Sequence, residues 1–177
     1  ALAREADTDD ADTGGLYFLP YLLGERSPLW DPAARGAFVG IGRHHGRPHM
    51  MRAVLEGVAF NLGACLEAFA ELGHTFDGID AVGGGAQSDV WLQVMADVWG
   101  IPVRRRSVVE EANSLGAAVT AAVGLGMVDD FGAARDLSSV VAEFVPDPGR
   151  HERYRERSQR FAAASAALTP WFDEAGP

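Results

Sequence analysis

The stretch that decides the fold is IDAVGGGAQSDVWLQVMADVWGIPV, residues Ile79–Val103. Its first four residues, Ile79–Val82, predict a short strand that runs into three glycines. A strand that turns through glycines straight into a helix leaves backbone N–H groups uncovered, where an anion or a flat polar ring can approach. This turn therefore predicts either a nucleotide site or a bend that only packs the helix against its strand. It is neither a Walker A sequence nor a dinucleotide motif, because Ser88 stands where the third glycine would be.

The same pattern continues on the far side of the turn. Ser88 can cap a helix over Asp89–Trp99, and Gly100 can end it in the left-handed conformation. Another strand is predicted over Ile101–Arg104, and a further helix over Ala112–Val123. Alternation of this kind predicts an α/β fold in which helices pack on a mixed sheet.

The first third of the chain predicts strands and a loop. Residues 1–15 are acidic and poor in apolar side chains, which predicts a flexible lead-in, with the packed domain covering residues 16–177. Leu16–Leu23 predicts a strand interrupted at Pro20, the segment Gly24–Arg35 a loop, and Ala37–Ile41 a second strand.

Two long helices are predicted by periodic apolar residues and by their end signals. Pro48 opens the first, which reaches Gly73 and should bury one long face that includes Leu62 and Phe69. Asp147 and Pro148 form the cap and first turn of the second, which should end near Thr169. Its arginines at 150, 153, 155, 157 and 160 predict a solvated face.

Composition excludes several function classes. The 177 residues contain 25 acidic and 15 basic side chains, the latter all arginine, and the net charge is −10. The missing lysine excludes a P-loop lysine and a Schiff base in this chain. The acidity argues against nucleic acid as a partner. Interrupted apolar runs argue against a membrane span, and the single cysteine is compatible with the cytoplasm.

Other clusters have alternative interpretations. His44, His45 and His49 could hold a metal, but the flanking arginines oppose a cation, and a solvated loop is the preferred interpretation. Cys65 is interpreted as a small core residue rather than a nucleophile. Charges such as Glu25, Arg26, Asp31 and Arg35 could belong to an active site or form exposed ion pairs. Residues 104–106, all arginine, could attract phosphates or form a solvated strand end.

Four collinear blocks carry a resemblance to a known family. They are PYLLGERSPLWDPAARGAFVGI (Pro20–Ile41), RAVLEGVAFNL (Arg52–Leu62), GGGAQSDVWLQVMADVWGIPV (Gly83–Val103) and EEANSLGAAVTAAVGLG (Glu110–Gly126). Together they resemble the C-terminal domain of the FGGY-family carbohydrate kinases, most closely the xylulokinases. The resemblance implies an actin-like ATPase fold of the ribonuclease H-like type.

The resemblance also implies a site. In this family ATP and the sugar meet, with Mg²⁺, in a cleft between two domains, and the C-terminal domain contributes the ATP side. Position by position, the implied contacts are Gly84, Gly85 and Ser88 to the adenosine part, Ala86 and Gln87 along the same wall, and Gly24 near the phosphates. No catalytic residue and no metal ligand of this chain is implied.

What the chain does not match is equally informative. The family's sugar-binding half and its catalytic aspartate belong to an N-terminal domain that matches nothing here, so we expect this segment alone to be inactive. The competing hypothesis is an interaction module that keeps the fold but binds no nucleotide. It rests on that same absence and on the expectation that aromatic residues in Leu16–Tyr21 are exposed, and it allows a homodimer.

Overall fold

A computed structural model describes Ala6, residues 13–109 and residues 111–175 of the chain. Most of the predicted acidic lead-in, residues 1–5 and 7–12, lies outside the described residues. The described part of it is packed, because Ala6 and Thr13 are both buried. The Thr13 hydroxyl donates a hydrogen bond of 2.9 Å to the carbonyl of Leu16.

The first layer begins with a two-stranded antiparallel sheet. β1 (Tyr17–Leu19) pairs with β2 (Ala37–Val39), with Tyr17 opposite Val39. Both strands are shorter than predicted, since β1 ends just before Pro20 and β2 ends just before Gly40, whose φ is +86°. Burial alternates along β1, since Tyr17 and Leu19 enter the core while Phe18 stacks on Phe38 with ring centroids 4.6 Å apart.

The helix α1 (Arg47–Glu71) starts at its predicted position, but the predicted buried face is wrong. Leu62 and Phe69 are 40% and 51% exposed. The buried face is instead Arg52, Ala53, Glu56, Gly57, Ala59 and Phe60. The reason is a close approach to β1, because a Cβ atom at Gly57 would overlap the carbonyl oxygen of Phe18. The helix therefore turns Gly57 toward the sheet and leaves Leu62 and Phe69 partly exposed.

By length and composition alone, α1 could cross a membrane. In the structure it packs on β1 and on the helix that follows the glycine turn. It also carries Arg52 and Glu56 buried within the protein, where they bond to another helix. These contacts are those of a core helix.

The second layer is a three-stranded mixed sheet with the order β3-β4-β5. β3 (Ile79–Ala81) is parallel to β4 (Val103–Arg106), which is antiparallel to β5 (Val140–Phe144). The helix α2 (Asp89–Trp99) packs on this sheet. The predicted combination of a mixed sheet with packed helices is confirmed. The sequence did not predict β5, which lies at the edge of the sheet and shows no clear apolar alternation.

Three helices complete the described chain. α3 (Ala112–Gly124) was predicted, whereas the short α4 (Ala133–Asp136) was not. α5 (Pro148–Ala175) begins as predicted, with the Asp147 carboxylate accepting from the Arg150 N–H at 2.7 Å. Its predicted end near Thr169 is wrong, because the helix continues through Pro170. Phe172 is 3% exposed, and its burial in the core stabilises that extra turn.

Buried polar side chains join α1 to α5. Arg52 donates to Glu56 at 2.9 Å and to the Tyr154 hydroxyl at 2.7 Å, and that hydroxyl donates to Glu56 at 2.9 Å. Arg157 adds a bond of 2.7 Å to Glu56, so the predicted solvated face is wrong for this arginine. Burial and the nearby Glu56 carboxylate raise the pKa of Tyr154. Because each charge has a partner, the network tolerates its burial.

Candidate functional site

The glycine turn connects β3 to α2 and brings together five of the six predicted site residues. Gly84–Gln87 forms one 3-10 turn, and Ser88 follows it directly. Gly83 enters the turn with φ +80°, a conformation that favours glycine, and its N–H donates to the Val109 carbonyl at 2.8 Å. The turn then closes on itself through Ala86 N–H to Gly83 at 3.0 Å.

The ends of α2 behave as the sequence predicted. The Ser88 hydroxyl accepts from the Trp91 N–H at 3.3 Å and so caps the helix. Gly100 ends it with φ +65°. The cap leaves the Ser88 hydroxyl committed to the helix, so any ligand contact from this residue must share that oxygen.

The two central glycines have different surroundings. A Cβ atom added to Gly84 would meet nothing within 4 Å, so this side of the turn is open. A Cβ atom at Gly85 would overlap the indole ring of Trp91, which forms a floor beneath the turn. Among the described residues, neither glycine N–H has a hydrogen-bond partner, and the buried Trp91 Nε1 also lacks one. The fold therefore does not use the N–H groups of the two glycines, while the indole N–H lies buried beneath the turn.

The strand next to the turn supplies an anchor that the sequence did not predict. Arg105 donates from Nε to the carbonyl of Ala86 at 2.6 Å, and its guanidinium also bonds the Asp89 carboxylate. Its neighbours bond elsewhere. Arg104 pairs with Glu143 at 2.9 Å, and Arg106 bonds the Ser138 carbonyl. Each of the three arginines thus ties a neighbouring segment to the sheet, and a role in attracting phosphates stays a prediction.

Gly24 belongs to a different loop from the turn. Its φ is +79°, and a Cβ atom there would lie 2.9 Å from the backbone of Pro32. Its N–H donates to the Tyr21 carbonyl at 3.3 Å, within the same segment. The structure therefore assigns Gly24 a requirement of the fold, and its predicted place near the phosphates remains a prediction.

Two carboxylates hold the Gly24 loop from inside. Glu25 is 5% exposed and accepts from the N–H groups of Ser27, Leu29 and Trp30 at 2.8, 2.9 and 3.0 Å. Asp31 accepts from the N–H groups of residues 33 and 34 at 2.9 and 3.1 Å. Among the described residues neither carboxylate forms an exposed ion pair, and a role as active-site charges stays a prediction. Their oxygens are already used by the loop.

A cavity of about 650 Å³ lies between this loop, α1 and α5. Four carboxylate residues line it and no arginine does. The carboxylates are Glu25, Asp31, Glu67 and Asp173. Burial, with Glu25 and Asp31 nearby, raises the pKa of the Tyr21 hydroxyl that also lines it. An acidic cavity of this kind does not suit a phosphate group.

The histidine cluster has a structural use. His45 Nδ1 accepts from the Gly42 N–H at 2.7 Å, and His49 Nδ1 accepts from the Gly46 N–H at 3.1 Å, at the start of α1. Within the described part of the chain, no group of three or more His, Cys, Asp or Glu side chains could hold a metal ion. We therefore assign no Mg²⁺ ligand to these residues. Cys65 is half-buried and donates to the Ser27 carbonyl at 3.4 Å.

Two residues that follow the turn serve the fold. Asp97 is 1% exposed and accepts from Gln93 and from the Asp147 N–H, both at 2.8 Å. Arg150 approaches the same carboxylate at 3.5 Å. These bonds fasten α2 to the start of α5, which explains the presence of both polar residues on a largely apolar helix.

Sequence comparison places the chain among sugar kinases. The model of the FGGY family of carbohydrate kinases, C-terminal domain, matches residues 1–125. A xylulose kinase from Staphylococcus epidermidis is 38% identical over 143 residues, covering 80% of this chain and 29% of that protein. A gluconokinase from Bacillus licheniformis is 38% identical over 174 residues, covering 94% and 33%.

Structural comparison agrees with the sequences. The crystal structure of ligand-bound xylulose kinase from Lactobacillus acidophilus superposes with a TM-score of 0.88 at 30% identity. The match covers 99% of this chain and 36% of that one. The chain thus spans about a third of the length of the relatives it matches.

Proposed function

This chain belongs to the FGGY family of carbohydrate kinases, as part of the C-terminal domain, and from that membership we propose that it forms the nucleotide side of a sugar kinase. Its fold is the actin-like ATPase fold of that family, as the resemblance implied. The parent reaction is transfer of the γ-phosphoryl group of ATP to a sugar hydroxyl in the cytoplasm.

The open side of the glycine turn is the observation that carries this proposal. Gly84 faces free space, and the N–H groups of Gly84 and Gly85 have no partner within the described residues. A flat, polar adenosine can lie against such a surface, because no side chain holds it away. We assign Gly84, Gly85 and Ser88 to the adenosine part, with Ala86 and Gln87 along the same wall.

The phosphates and the metal need groups beyond the turn. We assign Gly24 to the phosphate end, as the resemblance implies, although its own loop uses the neighbouring carboxylates. Phosphoryl transfer requires Mg²⁺, in-line alignment and a base for the acceptor hydroxyl. The described residues supply no metal cluster, so this chain's share is to bind and orient the nucleotide.

The sugar is proposed as xylulose, with gluconate as the alternative. Both follow from the names of relatives that are equally identical to this chain. The remaining two thirds of the relatives' length supplies most of the sugar contacts in this proposal. Phosphorylation assays of the full-length protein with both sugars would choose between them.

Titration with ADP tests the nucleotide site. We expect heat from the wild-type chain and at least tenfold weaker binding by Gly84→Trp, because an indole there fills the open side. Gly124→Trp is the matched control, since Gly124 is also open and lies at the far end of α3. It should bind like the wild type. No heat from any protein, or equal heat from all three, would remove the turn from the site.

A kinase assay on this chain tests its predicted incompleteness. We expect no phosphorylation of D-xylulose by the 177 residues alone, because the family's catalytic aspartate lies in another domain. Turnover at about 1–100 s⁻¹, the usual range for kinases, would contradict that expectation.

The second candidate is an interaction module, and a different segment now favours it. The expected exposure of Leu16–Tyr21 is wrong, because Leu16, Tyr17, Leu19 and Tyr21 are buried. The exposed apolar residues come just after it: Leu22, Leu23, Leu29 and Trp30. Sedimentation separates the two functions, since tight self-association without ADP binding favours assembly, and a monomer that binds ADP favours the kinase.

A further inference from the structure

One of the three arginines of β4, Arg105, contacts the glycine turn. Side chains alternate along a strand, so Arg105 points to the opposite face of β4 from Arg104 and Arg106. Arg105 reaches the Ala86 carbonyl at 2.6 Å, and its Cζ lies 5.4 Å from the centre of the Phe144 ring. The ring restricts the guanidinium from one side, so Arg105 is held in place before it bonds the turn.

The bond to Ala86 fixes the segment with the greatest backbone freedom. Ala86 is 2% exposed and directly follows Gly84 and Gly85, whose conformational freedom exceeds that of any other residue type. A hydrogen bond from a charged donor is roughly twice as strong as a neutral one. The Trp91 ring lies under Gly85 on one side, and Arg105 holds the carbonyl that follows.

We propose that Arg105 is a positioning residue for the nucleotide. Resting on the function proposed above, it acts through Ala86 by keeping the free N–H groups of the turn in the orientation that adenosine requires. Arg105 could also act in a second way, by neutralising the negative charge of its partner Asp89, a carboxylate close to the ligand. We attribute the effect of Arg105 on nucleotide binding to its bond with the Ala86 carbonyl, and not to neutralisation of the Asp89 charge.

Hydrogen–deuterium exchange tests the anchoring without any ligand. In Arg105→Met we expect the two hydrogen-bonded amides of the turn, those of Ala86 and Ser88, to exchange about tenfold faster than in the wild type. Arg104→Met is the matched control, since it removes the same charge from the same strand but bonds Glu143 and Asp77 instead. It should leave the turn unchanged. Equal exchange in the two variants would overturn the proposal.

ADP titration then tests the consequence for binding. We expect Arg105→Met to bind about tenfold more weakly, Arg104→Met within twofold of the wild type, and Arg105→Lys in between, because lysine restores one donor. Arg105→Met combined with Asp89→Asn should stay as weak as Arg105→Met alone. Full recovery in that double variant would overturn the positioning role in favour of charge compensation.

The outcomes separate this inference from the proposed function. Wild-type binding that is unaffected by Arg105→Met would overturn the inference and leave the nucleotide site in place. A wild type that binds no ADP would overturn the site, and with it the role of Arg105 in binding. The exchange experiment would still decide whether Arg105 holds the turn.

Discussion

The Gly24 loop and the glycine turn both depend on glycine, yet they differ in where their backbone N–H groups are used. In the Gly24 loop, Glu25 and Asp31 accept five N–H bonds from their own segment. In the turn, Gly84 and Gly85 keep theirs open, and the anchors come from Arg105 and Trp91 outside it.

This difference separates the structural role of Gly24 from the binding role proposed for Gly84. A loop that satisfies its own donors has a fixed shape but little left to offer a ligand. A turn that is anchored from outside keeps donors available while its shape is maintained by neighbours. Substitutions in the first should therefore cost mainly stability, and substitutions at Gly84 should cost mainly binding.

The largest expected effect is at Gly24. Gly24→Ala should lower the free energy of unfolding by about 3 kcal/mol, because the new Cβ meets the Pro32 backbone at 2.9 Å and φ is +79°. Gly15→Ala is the control, since Gly15 has φ +83° with nothing within 4 Å, and should cost only about 1 kcal/mol. Urea unfolding measures both. Equal losses would show that contact with Pro32 is unimportant.

An intermediate effect is expected at Glu25. Glu25→Gln keeps the size but replaces one accepting oxygen by an NH₂ group that faces backbone donors, so we expect a loss of about 2 kcal/mol. Glu67→Gln, an exposed site on the same cavity, should stay within about 0.5 kcal/mol. If Glu25→Gln were as harmless as its control, the loop would not depend on its internal acceptor.

The smallest effects are expected within the turn. Gly85→Ala should cost about 1–2 kcal/mol, because its methyl group must displace the Trp91 ring. Gly84→Ala should stay within about 0.5 kcal/mol, since its Cβ meets nothing within 4 Å. Thermal unfolding of the pair gives the comparison. A larger loss at Gly84 than at Gly85 would mean that the open side is not open.

Helix ends were predictable because their signals are local. Ser88, Gly100 and Asp147 act through bonds to residues within four positions, and Pro148 acts through the fixed φ of its own ring. The sequence alone therefore places the start and end of α2 and the start of α5. The end of α5 was not predictable in this way. Phe172 is held by distant core residues, which outweigh the local signal of Pro170.

The buried face of α1 was mispredicted for a similar reason. Periodicity pointed to Leu62 and Phe69, but the helix has apolar residues on more than one side. The close approach at Gly57 and the partners of Arg52 and Glu56 decide which side turns inward. Those partners lie on α5 and on β1, so no local pattern reveals them.

The site was predictable in part. The glycine turn and its cap follow from adjacent residues, and the resemblance supplied their assignment. Arg105 was not recognised as an anchor, because its partner Ala86 lies 19 positions away and the sheet pairing brings them together. The bonds of Glu25 to its own loop were not predicted, because a carboxylate in a loop has the same sequence signature whether it faces solvent or its own backbone.

The network between α1 and α5 has a consequence for how the chain folds during synthesis. Its bonds join residues 98 to 102 positions apart, from Arg52 and Glu56 to Tyr154 and Arg157. A ribosome makes α1 long before α5, so a nascent α1 must keep its two charges hydrated until the later helix emerges. Closing so long a loop is slow compared with local contacts. The bonds from Arg52 and Glu56 to α5 are therefore expected to form after the local contacts of α1.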